Sequence, residues 1–314
     1  MKNKNFIITT TLMITIIVDV MGMGLVFPVM PALFFNAHHT LVAATMSQHW
    51  RHFYFGVAMA AWPLGMLIGS PYLGDLSDKL GRKKVIIICL IGVLITNILA
   101  GFAVSSELLT TFIVVRFLSG FFSGSFPIAQ AMMVDISDET NKAKNISLVT
   151  LAASSGFIVG PLITSASTLP AVQAIFNYSV PFYIAGLVSL LNLISVILFL
   201  PKTKAARPGI KVPILKGLLV IGHVLGDVRI KKILIAFILM FLGWGFYCMN
   251  LALLMEKAFH YSTSLIALLF AFTALSNVLG ILFLQPIMLR HFSLRKICLI
   301  SSLVLAVLLL LSAN

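Results

Sequence analysis

Apolar residues run through this chain in long blocks separated by short polar punctuation. The blocks cover 6–35, 53–73, 85–104, 108–133, 146–167, 180–200, 230–255, 263–287 and 297–311. A helix crossing a bilayer takes about 20 apolar residues, so all but the short last block have the length of a span. The pattern predicts an all-α membrane protein whose nine spans are joined by brief polar turns. Residues 6–18 could imitate a signal peptide, but no small-residue cleavage site follows and the apolar run continues. They are read as an uncleaved first span.

Composition closes off the soluble classes. The chain is 60% hydrophobic and 10% charged, with mean hydropathy +1.08, whereas a soluble domain carries roughly 25% charged residues. The formal net charge of +13 invites a nucleic-acid reading, which the placement of the charges argues against. With the N-terminus in the cytoplasm, 19 of the 22 Lys and Arg fall on the inner side. Arg51 and Lys257 lie outside, and Arg116 lies within a span. This is the positive-inside bias, and no nucleic-acid partner is expected. Cys89, Cys248 and Cys298 sit far apart in apolar runs and read as small buried hydrophobes.

The densest charge lies in Gly74-Asp75-Leu76-Ser77-Asp78-Lys79-Leu80-Gly81-Arg82-Lys83-Lys84, between the second and third spans. Two long helices joined so briefly must fold back as a hairpin, and Gly74 and Gly81 supply backbone freedom for the turn. Two charges lie deep in apolar runs: Asp19 in the first span and Arg116 in the fourth. Such residues cost a few kcal/mol on insertion scales and are functional candidates by default; a structural aspartate, protonated or hidden in a wet interior, is the alternative. At about 1.5 Å per residue, Asp19 lies about 20 Å and Arg116 about 18 Å from the inner surface. Each costs least if it meets the other, so the two are expected to pair.

Other features read more blandly. His38, His39, His49 and His52 lack a nearby Cys or carboxylate and match no common metal spacing, so 36–52 reads as a solvated loop. Asp135 and Arg82 should share the inner face. Gly156-x-x-x-Gly160-Pro161 gives the fifth span a flat face and a bend. Residues 201–229, with Pro208-Gly209, Pro213 and a basic run, read as a linker. Shifted by 212 residues, Ser293, Arg295 and Lys296 fall on Gly81, Lys83 and Lys84, a trace of internal duplication.

Several of these strings resemble the major facilitator superfamily of secondary transporters. G-x-L-S-D-K-x-G-R-K-K is similar to its loop between the second and third helices. Asp19-x-x-Gly22-x-Gly24-x-x-x-Pro28-x-x-Pro31 resembles the first helix of its drug/proton antiporters, including the tetracycline-type ones. Arg116-x-x-x-Gly120-x-x-x-Gly124 resembles the fourth-helix motif, whose arginine is linked to proton transfer, with Ser119 replacing the usual glutamine. Gly156, Gly160 and Pro161 match the fifth-helix antiporter motif, with Thr164 and Ser165 replacing its last two glycines.

The resemblance implies a helical bundle in the bacterial-type cytoplasmic membrane, with a six-helix unit over 1–200, a linker over 201–229 and an incomplete second bundle over 230–314. Such a member has twelve helices, so the chain is expected to be truncated after its ninth, as a shortened gene product or a fragment. It implies alternating-access export of a small amphipathic compound or drug in exchange for protons. Asp19 and Arg116 would couple to protons, and Gly74, Asp78, Gly81, Arg82, Lys83 and Asp135 would form a cytoplasmic gating motif. A solvated loop is the alternative for the Arg82–Asp135 pair. No nucleotide-binding motif is seen, so the proton gradient is the expected driver, with no cofactor and no metal. The partners expected are a small-molecule substrate and the lipid bilayer. Proton-coupled metabolite symport and an inactive remnant are the alternatives. A membrane enzyme is disfavoured, since no paired carboxylates, metal cluster or nucleophile–base set sits at a membrane face.

Overall fold

A computed structural model of the chain describes residues 2–35, 41–43, 45–138, 141–169, 171–172, 177–203 and 228–312. Most of the expected linker, together with His38, His39 and Glu139, lies outside them. No strand occurs among the described residues. The helices are α1 (Lys2–Phe35), α2 (Gln48–Leu80), α3 (Arg82–Ser105), α4 (Leu109–Phe122), α5 (Ser125–Asp135) and α6 (Lys142–Ser167). A short 3-10 turn leads to α7 (Val180–Phe199), followed by α8 (Val228–Lys257), α9 (Thr263–Leu279), α10 (Gln285–His291) and α11 (Leu294–Ser312).

Among the described residues, eight segments are long and apolar enough to cross a membrane, from Phe6–Phe35 to Thr263–Met288. The ninth apolar run forms α11. Helices α4 and α5 together make the fourth span, Leu109–Asp135, which the hydrophobic pattern reads as one continuous helix. The break at Ser123-Gly124 has a covalent cause. Pro127 has no N–H for the Ser123 carbonyl, and its ring would clash with that carbonyl in a continuous helix. The eighth span is disturbed in a related way: Gly280–Leu284 is a π-helical turn just before Gln285-Pro286.

Helix α1 packs along α6, α2 along α4, and α3 against α7 and α4. Helix α9 leans on α6 and α1. Lipid tails are as apolar as leucine, so these contacts rest on close packing of small residues more than on expulsion of water. Gly65 and Gly69 of α2 lie directly on α4: a Cβ on either would sit 2.0 Å from the Phe117 or Phe121 carbonyl oxygen. Gly120 of α4 answers them, with Trp62 O at 1.9 Å from its virtual Cβ. The outward faces stay apolar, as a lipid-exposed surface requires: Leu191 and Leu198 of α7 are exposed, as are Phe237, Leu239, Leu242 and Phe246 of α8.

Gly81 alone separates α2 from α3. Its φ of +94° is one that only glycine adopts without strain, and its amide caps α2 on the Ser77 carbonyl at 2.9 Å. The expected hairpin turn is therefore a single residue, with the second glycine, Gly74, still inside α2 and clear of its neighbours. Cys89 is buried as expected, while Cys298 of α11 is exposed.

Gly69→Val is expected to lower the apparent melting temperature in detergent and the monodisperse yield. The cost should reach the about 1–3 kcal/mol typical of overpacking or exceed it, since backbone atoms stand in the way. Gly56→Ala, in the same helix with nothing within 4 Å, should leave both unchanged.

Candidate functional site

The break in the fourth span is what builds the site. A helix starting at Ser125 leaves first-turn N–H groups without helical partners and directs a partial positive charge along its axis. The Phe126 N–H donates to Asp19 Oδ2 at 2.8 Å. Ser125 is fully buried beside the same carboxyl. A carboxylate that would be costly alone in hydrocarbon is thus met by the start of a helix.

Asp19 also borders a small cavity of about 20 Å³, lined by Val18, Gly22, Trp62, Val93, Asn97, Arg116, Ser119 and Ser123. That is room for about one ordered water, with polar groups on several sides to hold it. Arg116 is only 7% exposed, and its Nε has no hydrogen-bond partner. The expectation that Asp19 and Arg116 meet is corrected in one respect. They share a cavity, yet form no ion pair; the α5 amide, not the guanidinium, lies within hydrogen-bond reach of the carboxylate.

Gly156 and Gly160 hold Asp19's helix in place. Their virtual Cβ atoms meet the backbone of α1, at 2.7 Å from Ile17 O and 2.5 Å from Met21 O, on either side of Asp19. Pro161 lies against Gly24, with its Cδ 3.2 Å from a Cβ placed there. Thr164 is no passive substitute for glycine: its hydroxyl donates to the Leu25 carbonyl at 2.8 Å. The Ser165 and Ser264 hydroxyls approach to 3.1 Å, joining α6 to α9.

At the face where α1 begins, the gating-motif residues separate. Arg82 Nε and Asp135 Oδ2 are 2.5 Å apart, joining the start of α3 to the end of α5. This places the pair within the first six spans; it does not bridge to the later helices. Lys83 does something composition could not show. Its ammonium donates to the Ile197 and Leu200 carbonyls at 2.8 and 2.5 Å, capping the negative end of α7. Its amide also donates to the hydroxyl of Thr203, four residues past the end of α7, at 3.0 Å. Gly81 lies beneath Thr203, whose carbonyl oxygen is 2.4 Å from the virtual Cβ. Asp78 has no hydrogen-bond or ion-pair partner among the described residues.

Two contributors went unnoticed in the sequence: the Phe126 amide, and the proline that frees it. Ser123-Gly124-Ser125-Phe126-Pro127 carried the signal, since a proline three residues after a flexible Ser-Gly pair marks a helix break.

The Major Facilitator Superfamily matches residues 12–314. The tetracycline resistance protein, class B, of Escherichia coli is 28% identical over 199 residues, 63% of this chain and 45% of the relative. The quinolone resistance protein NorA of Staphylococcus aureus is 31% identical over 191 residues, 60% of this chain and 44% of the relative. The chain thus spans less than half the length of these curated relatives. A D-xylose-proton symporter structure aligns with TM-score 0.67 at 14% identity, covering 90% of this chain and 69% of the other. The human organic anion transporter MFSD10 aligns with TM-score 0.60 at 20% identity, covering 86% and 69%.

The Arg82–Asp135 pair is partly exposed, 20% and 53% at the two side chains, so solvent screens it. A double-mutant cycle of Arg82→Ala and Asp135→Ala, read by thermal stability in detergent, should give a coupling no larger than about 1 kcal/mol.

Proposed function

Because this chain belongs to the Major Facilitator Superfamily, we propose that it works in the proton-coupled export of small amphipathic compounds. The six-helix unit over 1–200, the linker over 201–229 and the second-bundle helices over 230–314 divide it. The N-terminus lies in the cytoplasm, and the proton gradient drives the cycle without a cofactor.

One observation carries this reading: the carboxylate of Asp19 at the edge of a polar cavity, held by one helix start and facing the unpartnered Nε of Arg116. A carboxylate so placed can exchange a proton with a single water, and the charge it gains or loses changes how firmly α1 is tied to α5. Arg116 shares the cavity as the fixed positive charge, which sets the local field whichever form Asp19 takes. Helix α1 also touches α6, α8 and α9, so a change at Asp19 bears on the seam between the two groups of helices.

The curated relatives are drug-resistance proteins, which favours export and a substrate of drug-like chemistry. Metabolite import by proton symport keeps the same site. It is favoured by Thr164 and Ser165, which make hydrogen bonds where the antiporter motif has glycines. Inside-out against right-side-out vesicles decide between them.

Asp19→Asn is expected to abolish proton-coupled solute movement while leaving membrane insertion and melting temperature close to those of the unaltered chain. Normal coupling in that variant would remove Asp19 from the mechanism. Pro127→Ala, which lets the fourth span close into one helix, should reduce coupling without touching a titratable group. Proton release into a lightly buffered medium upon solute addition measures both.

A further inference from the structure

At the face opposite the start of α1, three helices meet around one histidine. His52 of α2 lies with Nδ1 2.7 Å from the Gln48 carbonyl oxygen and Nε2 3.4 Å from Lys257 Nζ at the end of α8. A carbonyl can only accept, so Nδ1 carries the hydrogen; an ammonium can only donate, so Nε2 is the acceptor. The arrangement is therefore that of a neutral imidazole. Lys257 also sits over the Phe35 ring of α1, 4.1 Å from its centroid, and Phe35 packs on His52 at 4.8 Å.

From these contacts we propose that His52 is a second proton site, one that latches the outer mouth. While His52 is neutral it accepts from Lys257 and holds α8 against α1 and α2. A proton arriving on Nε2 removes the acceptor and sets two cations 3.4 Å apart, so the latch releases. Histidine is the side chain suited to this, because it changes charge between about pH 5 and 8. Glu256, next to Lys257 on α8, interacts with its charge; the other neighbours are basic or neutral. On α2, His49 is exposed and Arg51 turns to the Phe34, Ala43 and Met46 carbonyls. On α8, Glu256 forms no ion pair with either partner; α1 offers only Phe35; and His260 follows α8.

The latch lies where the described side-chain contacts between the first six spans and the later helices gather. The Ser165–Ser264 hydrogen bond and the stacked Phe27–Phe270 pair, centroids 6.5 Å apart, sit toward the same face. Protonation at the mouth thus acts on the seam that must part for the outer side to open. The assignment of this face as the outer one rests on the orientation proposed above.

The test uses the full 314-residue chain in lipid nanodiscs, with Cys89, Cys248 and Cys298 changed to serine and spin labels at Phe53→Cys and Phe259→Cys. Both label sites are exposed and outside the latch. At about pH 8 the inter-label distance should be short, and at about pH 5 a longer population should predominate. His52→Gln keeps an acceptor but cannot be protonated, so it should stay short at both values. Lys257→Met removes the second cation, so its distribution should not change with pH. An unaltered chain that does not respond to acid overturns the proposal, as does a full response surviving in His52→Gln. If His52→Gln does not fold, a full response surviving in Lys257→Met does the same. No solute or gradient is needed, so the outcomes separate cleanly. The exporter reading is judged by the Asp19→Asn comparison above: an acid-opened mouth with coupling unchanged in Asp19→Asn would keep the latch and remove Asp19 from the mechanism, while coupling lost in Asp19→Asn with a mouth that ignores acid would do the reverse.

Discussion

A charged carboxyl within a membrane bundle has to be met by something, and here it is met by a main-chain amide. The Phe126 N–H can reach Asp19 because Pro127 prevents the fourth span from being one helix. Much of the site follows from that break. It turns a helix start inward, it gives the carboxylate an amide donor, and Arg116 borders the same small cavity. The cost of an interrupted span is borne where neighbouring helices surround it, the setting in which membrane proteins tolerate broken helices.

The second constraint is closeness. Gly156 and Gly160 let α6 lie on α1 beside Asp19, and Gly65, Gly69 and Gly120 do the same for α2 and α4. Backbones in such contact have little room to slide, so the first six spans form a firm frame around the carboxyl. The Arg82–Asp135 pair and the Lys83 cap on α7 tie that frame at the face where α1 begins. In contrast, α8 leans on its neighbours mainly through its end, leaving Phe237, Leu239 and Phe246 exposed along its length.

The span pattern was legible because hydrocarbon imposes one simple demand, an apolar run of fixed length. The eight membrane-length segments follow from it, while the family strings are legible in their own residues. Asp19 and Arg116 were legible because charges in apolar runs stand out. Their relation was not: depth along two helices says that side chains are level, never which way a backbone amide points. Lys83 shows the same limit. In the sequence it is one of four basic residues in a turn, and only the path of α7 reveals the carbonyls it caps. His52 read as part of a solvated loop, since its partner lies some two hundred residues further along.

The cavity beside Asp19 carries a consequence for the order of events. Sites that enclose drug-sized molecules run to about 300–1,000 Å³, whereas this one measures about 20 Å³. In this conformation the space beside Asp19 admits a water molecule and not a drug-sized solute, so a chain that carries a solute as proposed above holds it elsewhere, or only after the bundle rearranges.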